Sequence, residues 1–208
     1  MATTTTISQV GEFPLISSMV GDLTMGQAVT LGPGDDGAVF QVDGSAVVST
    51  DVLVEEVHFR RRWSTATDVG RKAVAVNVSD IEAMGAVPVA LVVGFSAPGD
   101  LPASWAREFM AGMTAESQKA GVSVVGGDTT GGPVVSIAVT VIGQTAGMAP
   151  VRRDGAVPGD EVAVIGQLGL AAAGLALLGR GFRSPRAVVA AQRCPEVPYG
   201  QGRVAAKA

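Results

Sequence analysis

An α/β (α+β) fold is the class this 208-residue sequence predicts, and three features carry the prediction. Apolar runs of strand length, at 46–49, 87–95 and 134–143, alternate with two longer segments whose apolar residues recur at helical spacing, one beginning near Thr65 and one over 102–120. Glycine and proline cluster between and after them, at Pro98-Gly99, Gly126-Gly127 and Pro158-Gly159. Hydrophobic residues make up 47% and charged ones 16%, the balance of a chain that buries a core and not of a disordered one.

Composition also narrows function. A formal net charge of −4, with two tryptophans and one tyrosine, argues against a nucleic-acid surface, which needs a basic stripe and stacking platforms. One cysteine, Cys194, excludes an internal disulfide and a cysteine zinc site, so a reducing cytoplasm is the expected compartment. The start, Met-Ala-Thr-Thr-Thr-Thr, has no basic region and no apolar run; residues 1–10 are expected to be disordered and not a signal peptide. Two uncharged stretches, 129–151 and 162–179, are broken by polar residues and glycines. They suit a strand of about ten residues, and a strand followed by a helix, better than a membrane span of about twenty.

In chain order, residues 11–31 hold a short helix-like piece. Gly32-Pro33-Gly34-Asp35-Asp36-Gly37 then forms a tight loop, which is either an ordinary turn or a place where backbone approaches a ligand. The run at 46–49 leads into Ser49-Thr50-Asp51, read as a strand end that presents two hydroxyls and a carboxylate, hard oxygen donors of the kind magnesium takes. His58, the one histidine, suits either a surface role or a substrate contact. Thr65 and Asp68 have the spacing of a capping box, so a helix starts there.

On that helix Asn77 and Asp80 share a face. Asp80 is the anomaly, a carboxylate within an otherwise apolar segment, and a solvated helix face is its plainer reading. Residues 87–95 open with Pro88 and read as a central strand, and 102–120 as a helix with Trp105, Phe109 and Met113 on its core stripe, stopped by Gly121. A short strand from Val122 runs into a loop, Gly126-Gly127-Asp128-Thr129-Thr130, with room for a bulky anion. After the strand at 134–143 come Arg152-Arg153 and the turn Pro158-Gly159-Asp160, which looks like a domain boundary. It divides a first domain, 11–150, from a second, 151–208, containing a strand at 161–165, a helix at 168–178 and no identifiable closing element over 195–208.

Asp36, Asp51, Asp80 and Asp128 thus come from four separate elements, each beside an apolar one. Two carboxylates about 4 Å apart repel by roughly 4 kcal/mol at an effective dielectric near 20, so a shared cleft requires bound cations or raised pKa values. Oxygen-only ligands select magnesium or manganese over zinc. Such ions beside glycine-rich loops suit a nucleoside triphosphate, whose phosphates they bridge. No G-x-x-x-x-G-K-[ST] loop is present, which excludes a P-loop mechanism.

Taken together, Gly34-Asp35-Asp36, Ser49-Thr50-Asp51 with Leu53-Val54 and His58-Phe59, Lys72 through Asp80 with Ala83-Met84-Gly85-Ala86, and Gly126-Gly127-Asp128-Thr129-Thr130 resemble the successive motifs of the thiamine-monophosphate kinase family. The resemblance runs from about residue 11 to 179. It implies an aminoimidazole ribonucleotide synthetase-like N-terminal domain, with a mixed β-sheet and packed helices, that pairs with a second copy as a homodimer, followed by the start of an α+β domain. It implies direct transfer of the γ-phosphoryl of ATP to thiamine monophosphate, aided by several Mg2+ ions. By motif, Asp36, Ser49, Thr50, Asp51, Asp80 and Asp128 would be the magnesium ligands, His58 would touch substrate, and Gly127, Asp128 and Arg153 would touch ATP. Family members continue into an Ile-Ser-Asp-Gly-like motif that this sequence lacks, so most of the C-terminal domain is expected to be missing, and an inactive module that only binds metal and nucleotide is the alternative. Another member of the superfamily with a different phosphoryl acceptor is a further one.

Overall fold

Helix α3 (Ala66–Ala83) begins where the capping box predicts. Thr65 Oγ1 accepts from the Asp68 N–H at 3.1 Å, and Asp68 Oδ2 accepts from the Thr65 N–H at 3.0 Å. This computed structural model describes residues 5–208 of the chain. Against α3 lies α4 (Ala103–Ala120), ended by Gly121 at φ 69. The two helices meet backbone to backbone: a Cβ at Gly70 would lie 2.0 Å from the Phe109 carbonyl oxygen, and one at Gly112 2.3 Å from that of Thr67. Only glycine permits that approach.

The pair covers one face of a four-stranded mixed sheet. Strands β3 (Ala46–Val54), β4 (Val87–Ala97), β5 (Ser123–Gly131) and β6 (Ser136–Gln144) are ordered β3-β6-β4-β5, with only β4 and β5 parallel. Helix α4 supplies the crossover that a parallel pair requires. Ile137, Val139 and Val141 alternate along β6 as buried residues facing the helices, joined by Val47, Leu53, Leu91 and Val93. Phe95, Trp105 and Phe109 stack in the same core, with centroids 5.4 Å apart for Phe95–Phe109 and 5.8 Å for Trp105–Phe109.

The opposite face is covered over β4 and β5 by a ribbon of β1 (Val29–Leu31) and β2 (Val39–Phe40), which closes on Val89, Ala90 and Val125. Over β3 it stands open, with Val48 61% and Val52 47% exposed. At the start of the described chain, helices α1 (Ile7–Val10) and α2 (Glu12–Val20) form, and the Ile7 N–H donates to the Leu101 carbonyl. Of the segment expected to be disordered, residues 5–10 are therefore held in place, while residues 1–4 lie outside the described residues.

Several expectations are corrected. Ser49-Thr50-Asp51 is the middle of β3 and not its end, because β6 continues to pair as far as Val54. The Gly126–Thr130 stretch is strand and not loop, since β5 pairs with β4 as far as Gly131. Residues 161–165 form no strand and are exposed, for no neighbouring strand offers them partners. The helix expected over 168–178 is α5 (Leu170–Gly179).

Beyond α5, helices α6 (Arg186–Arg193) and α7 (Gln201–Ala205) do close the segment. Buried Glu82 accepts the Gly200 N–H at 2.8 Å and the Gly202 N–H at 3.2 Å, and Arg203 donates to the carbonyls of Gly85, Thr145 and Ala146. Among the described residues, no helix is long and apolar enough to cross a membrane.

Candidate functional site

Along β3, Ser49 and Asp51 pair with Val141 and Val139, whose side chains are buried against the helices. Residues opposite one another on neighbouring strands project from the same face, so Ser49 and Asp51 are on the helix side and Thr50 is on the open side. The C-terminal half of α3 meets them there. Ser49 Oγ donates to Asp80 Oδ2 at 2.8 Å. Asn77, fully buried, accepts the Asp51 N–H on Oδ1 at 3.1 Å and donates through Nδ2 to the Ala73 carbonyl at 2.8 Å.

The shared face read from the spacing of Asn77 and Asp80 is therefore directed at β3. Asn77 binds the helix to an edge strand, and Asp80 stays exposed beside the Ser49 hydroxyl. A serine hydroxyl and two aspartates supply oxygen donors only, and in kind they fit magnesium.

The remaining candidates stand elsewhere. Thr50 is on the open face, where the Thr140 hydroxyl donates to it at 3.0 Å. Asp128 occupies the same row as Val52, through Ala138 and Gly94, but at the far edge of the sheet. At a strand spacing near 4.8 Å, that is about 14 Å across the sheet. Asp36 is exposed on the β1–β2 connection, with its N–H donating to Asp35 Oδ1 at 2.8 Å, and Arg153 is exposed after β6. Among the described residues, no three His, Cys, Asp or Glu side chains are grouped closely enough to hold a metal ion.

Gly127 has a packing reason of its own: a Cβ there would sit 2.1 Å from the Val93 carbonyl oxygen. His58 is exposed, and its Nδ1 accepts the Val54 N–H at 3.0 Å, which leaves the hydrogen on Nε2. Lys72 Nζ donates to the His58 carbonyl at 2.8 Å and to that of Gln192 at 3.4 Å; burial holds its pKa below the usual lysine value. The run Arg60–Arg62 is no free anion patch. Its three guanidiniums pair with Glu55 and Glu56 at 2.5–3.0 Å, and Arg60 also stacks on Trp63.

Sequence reasoning passed over Glu82 and Glu116. Glu116 is 1% exposed, and its carboxylate meets Arg71 Nε at 2.9 Å and the Tyr199 hydroxyl at 2.9 Å. Burial, and then the hydrogen bond to Glu116, raise the Tyr199 pKa, so the phenol remains the donor. A signal was present, because Glu116 continues the stripe of Trp105, Phe109 and Met113 on α4. A carboxylate there has to find partners inside.

Residues 34–145 match the family described as AIR synthase related protein, N-terminal domain. The chain is similar to a thiamine-monophosphate kinase from Mycobacterium tuberculosis (strain ATCC 25618 / H37Rv), with 46% identity over 202 residues covering 97% of this chain and 61% of that one. A thiamine-monophosphate kinase from Corynebacterium glutamicum is 41% identical over 177 residues, covering 83% of this chain and 52% of the relative. Among solved structures, thiamine monophosphate kinase from Aquifex aeolicus superposes with a TM-score of 0.73 at 29% identity, over 93% of this chain and 63% of that one. A structure described as AaThiL complexed with AMPPCP and TMP gives 0.68 at 30% identity, over 97% and 63%. The chain thus spans between about half and two thirds of the length of these relatives.

Proposed function

The chain belongs to the AIR synthase related family through its N-terminal domain, and on that premise we propose that it serves the ATP-dependent phosphorylation of thiamine monophosphate to thiamine diphosphate. The observation that carries this reading is the Ser49–Asp80 contact, which joins two of the motifs at one oxygen-rich rim in a chain 46% identical to a thiamine-monophosphate kinase. Ser49, Asp51 and Asp80 are the proposed core of one magnesium site; Thr50, Asp36 and Asp128, which stand apart from it, are assigned to further magnesium ions. Bound ions would supply neutralisation of phosphate charge. Gly127, Asp128 and Arg153 are assigned to ATP, and His58, through its Nε2–H, to the acceptor.

An acceptor phosphate is already ionised at neutral pH, so the residues are needed for positioning and charge balance and not as a strong base. The uncovered face of β3, with exposed Val48 and Val52, supports pairing with a second copy. A soluble compartment in the cytoplasm accords with this chemistry.

A second reading has its own observation. The chain's described aspartates do not gather at one point, which favours a module that binds nucleotide without turnover. Measuring ADP release with ATP, magnesium and thiamine monophosphate, beside calorimetry of Mg-ATP binding, separates the two. Turnover supports the kinase, and binding alone supports the module; turnover only with another phosphoryl acceptor overturns the thiamine assignment. Asp80→Asn is expected to retain the fold and weaken Mg-dependent ATP binding by about tenfold or more. An unchanged affinity removes Asp80 from the site.

A further inference from the structure

Between the α3–α4 pair and the α5–α6 hairpin lies a cavity of about 1050 Å³. That is the upper end of the size range of small-molecule sites. Five basic side chains line it, Arg71, Lys119, Arg183, Arg186 and Arg193, against two carboxylates, Asp68 and Glu196, in a chain whose formal net charge is −4. On the α3–α4 wall the charge is already engaged. Arg71 Nε meets Glu116 at 2.9 Å, Lys119 Nζ reaches the same carboxylate at 3.6 Å, and Asp68 is committed to capping α3.

The opposite wall is not neutralised. Among the described residues, Arg183, Arg186 and Arg193 make no ion pair with a carboxylate. Arg193 lines this wall as well, although its Nε is sealed from solvent without an acceptor and so does not face the open cavity. Leu170, Val189, Pro195 and Val197 give the same cavity an apolar side.

We infer that this cavity binds a small organic phosphate, its anionic group held by the guanidiniums of Arg183, Arg186 and Arg193 and its body laid on the apolar side. Guanidinium forks match phosphate oxygens in geometry and charge, and neither requires a divalent ion. The site is separate from the Ser49–Asp80 rim, because Arg71 precedes Asp80 by nine residues on α3, about 13 Å along a helix axis. It goes beyond the proposed kinase reading and does not depend on it.

The test is calorimetry of the full chain in EDTA, with phenyl phosphate and inorganic phosphate as probes. Phenyl phosphate is expected to bind saturably and more tightly than inorganic phosphate, with affinity falling as salt is added. Arg186→Gln, an exposed position where the fold is not at stake, and Arg193→Gln are each expected to weaken binding by about tenfold, a typical loss for a charge-assisted contact. Asp80→Asn is expected to leave this affinity unchanged, which keeps the result apart from any metal-dependent binding at the other site. Trp63 packs with Leu178 and Val189, so its fluorescence should report occupancy. A flat titration with phenyl phosphate, or the same Kd in Arg186→Gln as in the parent, overturns the inference.

Discussion

Replacing Asn77 with alanine tests the joint between α3 and β3 on which the candidate site rests. The side chain makes two hydrogen bonds, from the Asp51 N–H and to the Ala73 carbonyl, and is fully buried. Ala73 sits one helical turn before Asn77, so its carbonyl retains its helix partner, and losing the Nδ2 contact costs only about 0.5–1.5 kcal/mol. The Asp51 N–H is left without an acceptor inside the protein, at about 1–3 kcal/mol. The sum, about 1.5–4.5 kcal/mol, is a large share of the stability of a typical domain, about 5–15 kcal/mol.

Urea unfolding is the assay, and the midpoint should fall with the m-value unchanged. Asn77→Asp keeps an acceptor for Asp51 but buries a charge near Asp80. Its deficit is expected to shrink as the pH falls, because protonation removes the buried charge and burial raises the pKa at which that happens. A loss below about 0.5 kcal/mol in Asn77→Ala would refute the idea that this amide joins helix and strand, since it falls within the range of neutral surface changes.

Gly127→Ala is expected to destabilise by about 2 kcal/mol or more, because the new methyl would meet the Val93 carbonyl and displace β5 from β4. Thermal melting reads this, and an unchanged midpoint with weaker ATP binding would mean that the glycine serves ligand approach instead. Burial pushes the Cys194 thiol up from 9.0 to about 11, so iodoacetamide at pH 8 should react about a hundredfold more slowly with the folded protein than with the urea-unfolded chain. Equal rates would show an accessible thiolate. The sign of the accompanying stability effect follows from which state ionises first: the unfolded thiol loses its proton at lower pH, so stability should fall as pH rises from 9.0 towards about 11.

Helices α3 and α4 were legible because their starts and stops are local chemistry. Thr65 and Asp68 satisfy one another across one turn, and Gly121 takes the left-handed conformation that ends α4. The pairing of Asn77 with Asp80 on one face was equally legible, since helical spacing alone places them together. What that face meets was not legible, nor was the continuation of β3 through Asp51 and of β5 through Asp128. Strand extent depends on whether a neighbour continues to offer hydrogen bonds, and β6 and β4 are distant in sequence. The strand expected at 161–165 shows the reverse, a run of suitable residues without a partner.

The order of residues by itself determined an α/β chain rich in oxygen ligands, with its carboxylates on four separate elements and no cysteine or histidine cluster. Those are properties of residue types and short spacings. Only the tertiary structure decided that Ser49 reaches Asp80 while Asp128 lies across the sheet on the opposite face, and that three arginines from the last fifty residues line one cavity with no ion pair among the described residues. Register and sheet order fix these distances, and both arise from contacts between residues far apart along the chain, which no local pattern encodes.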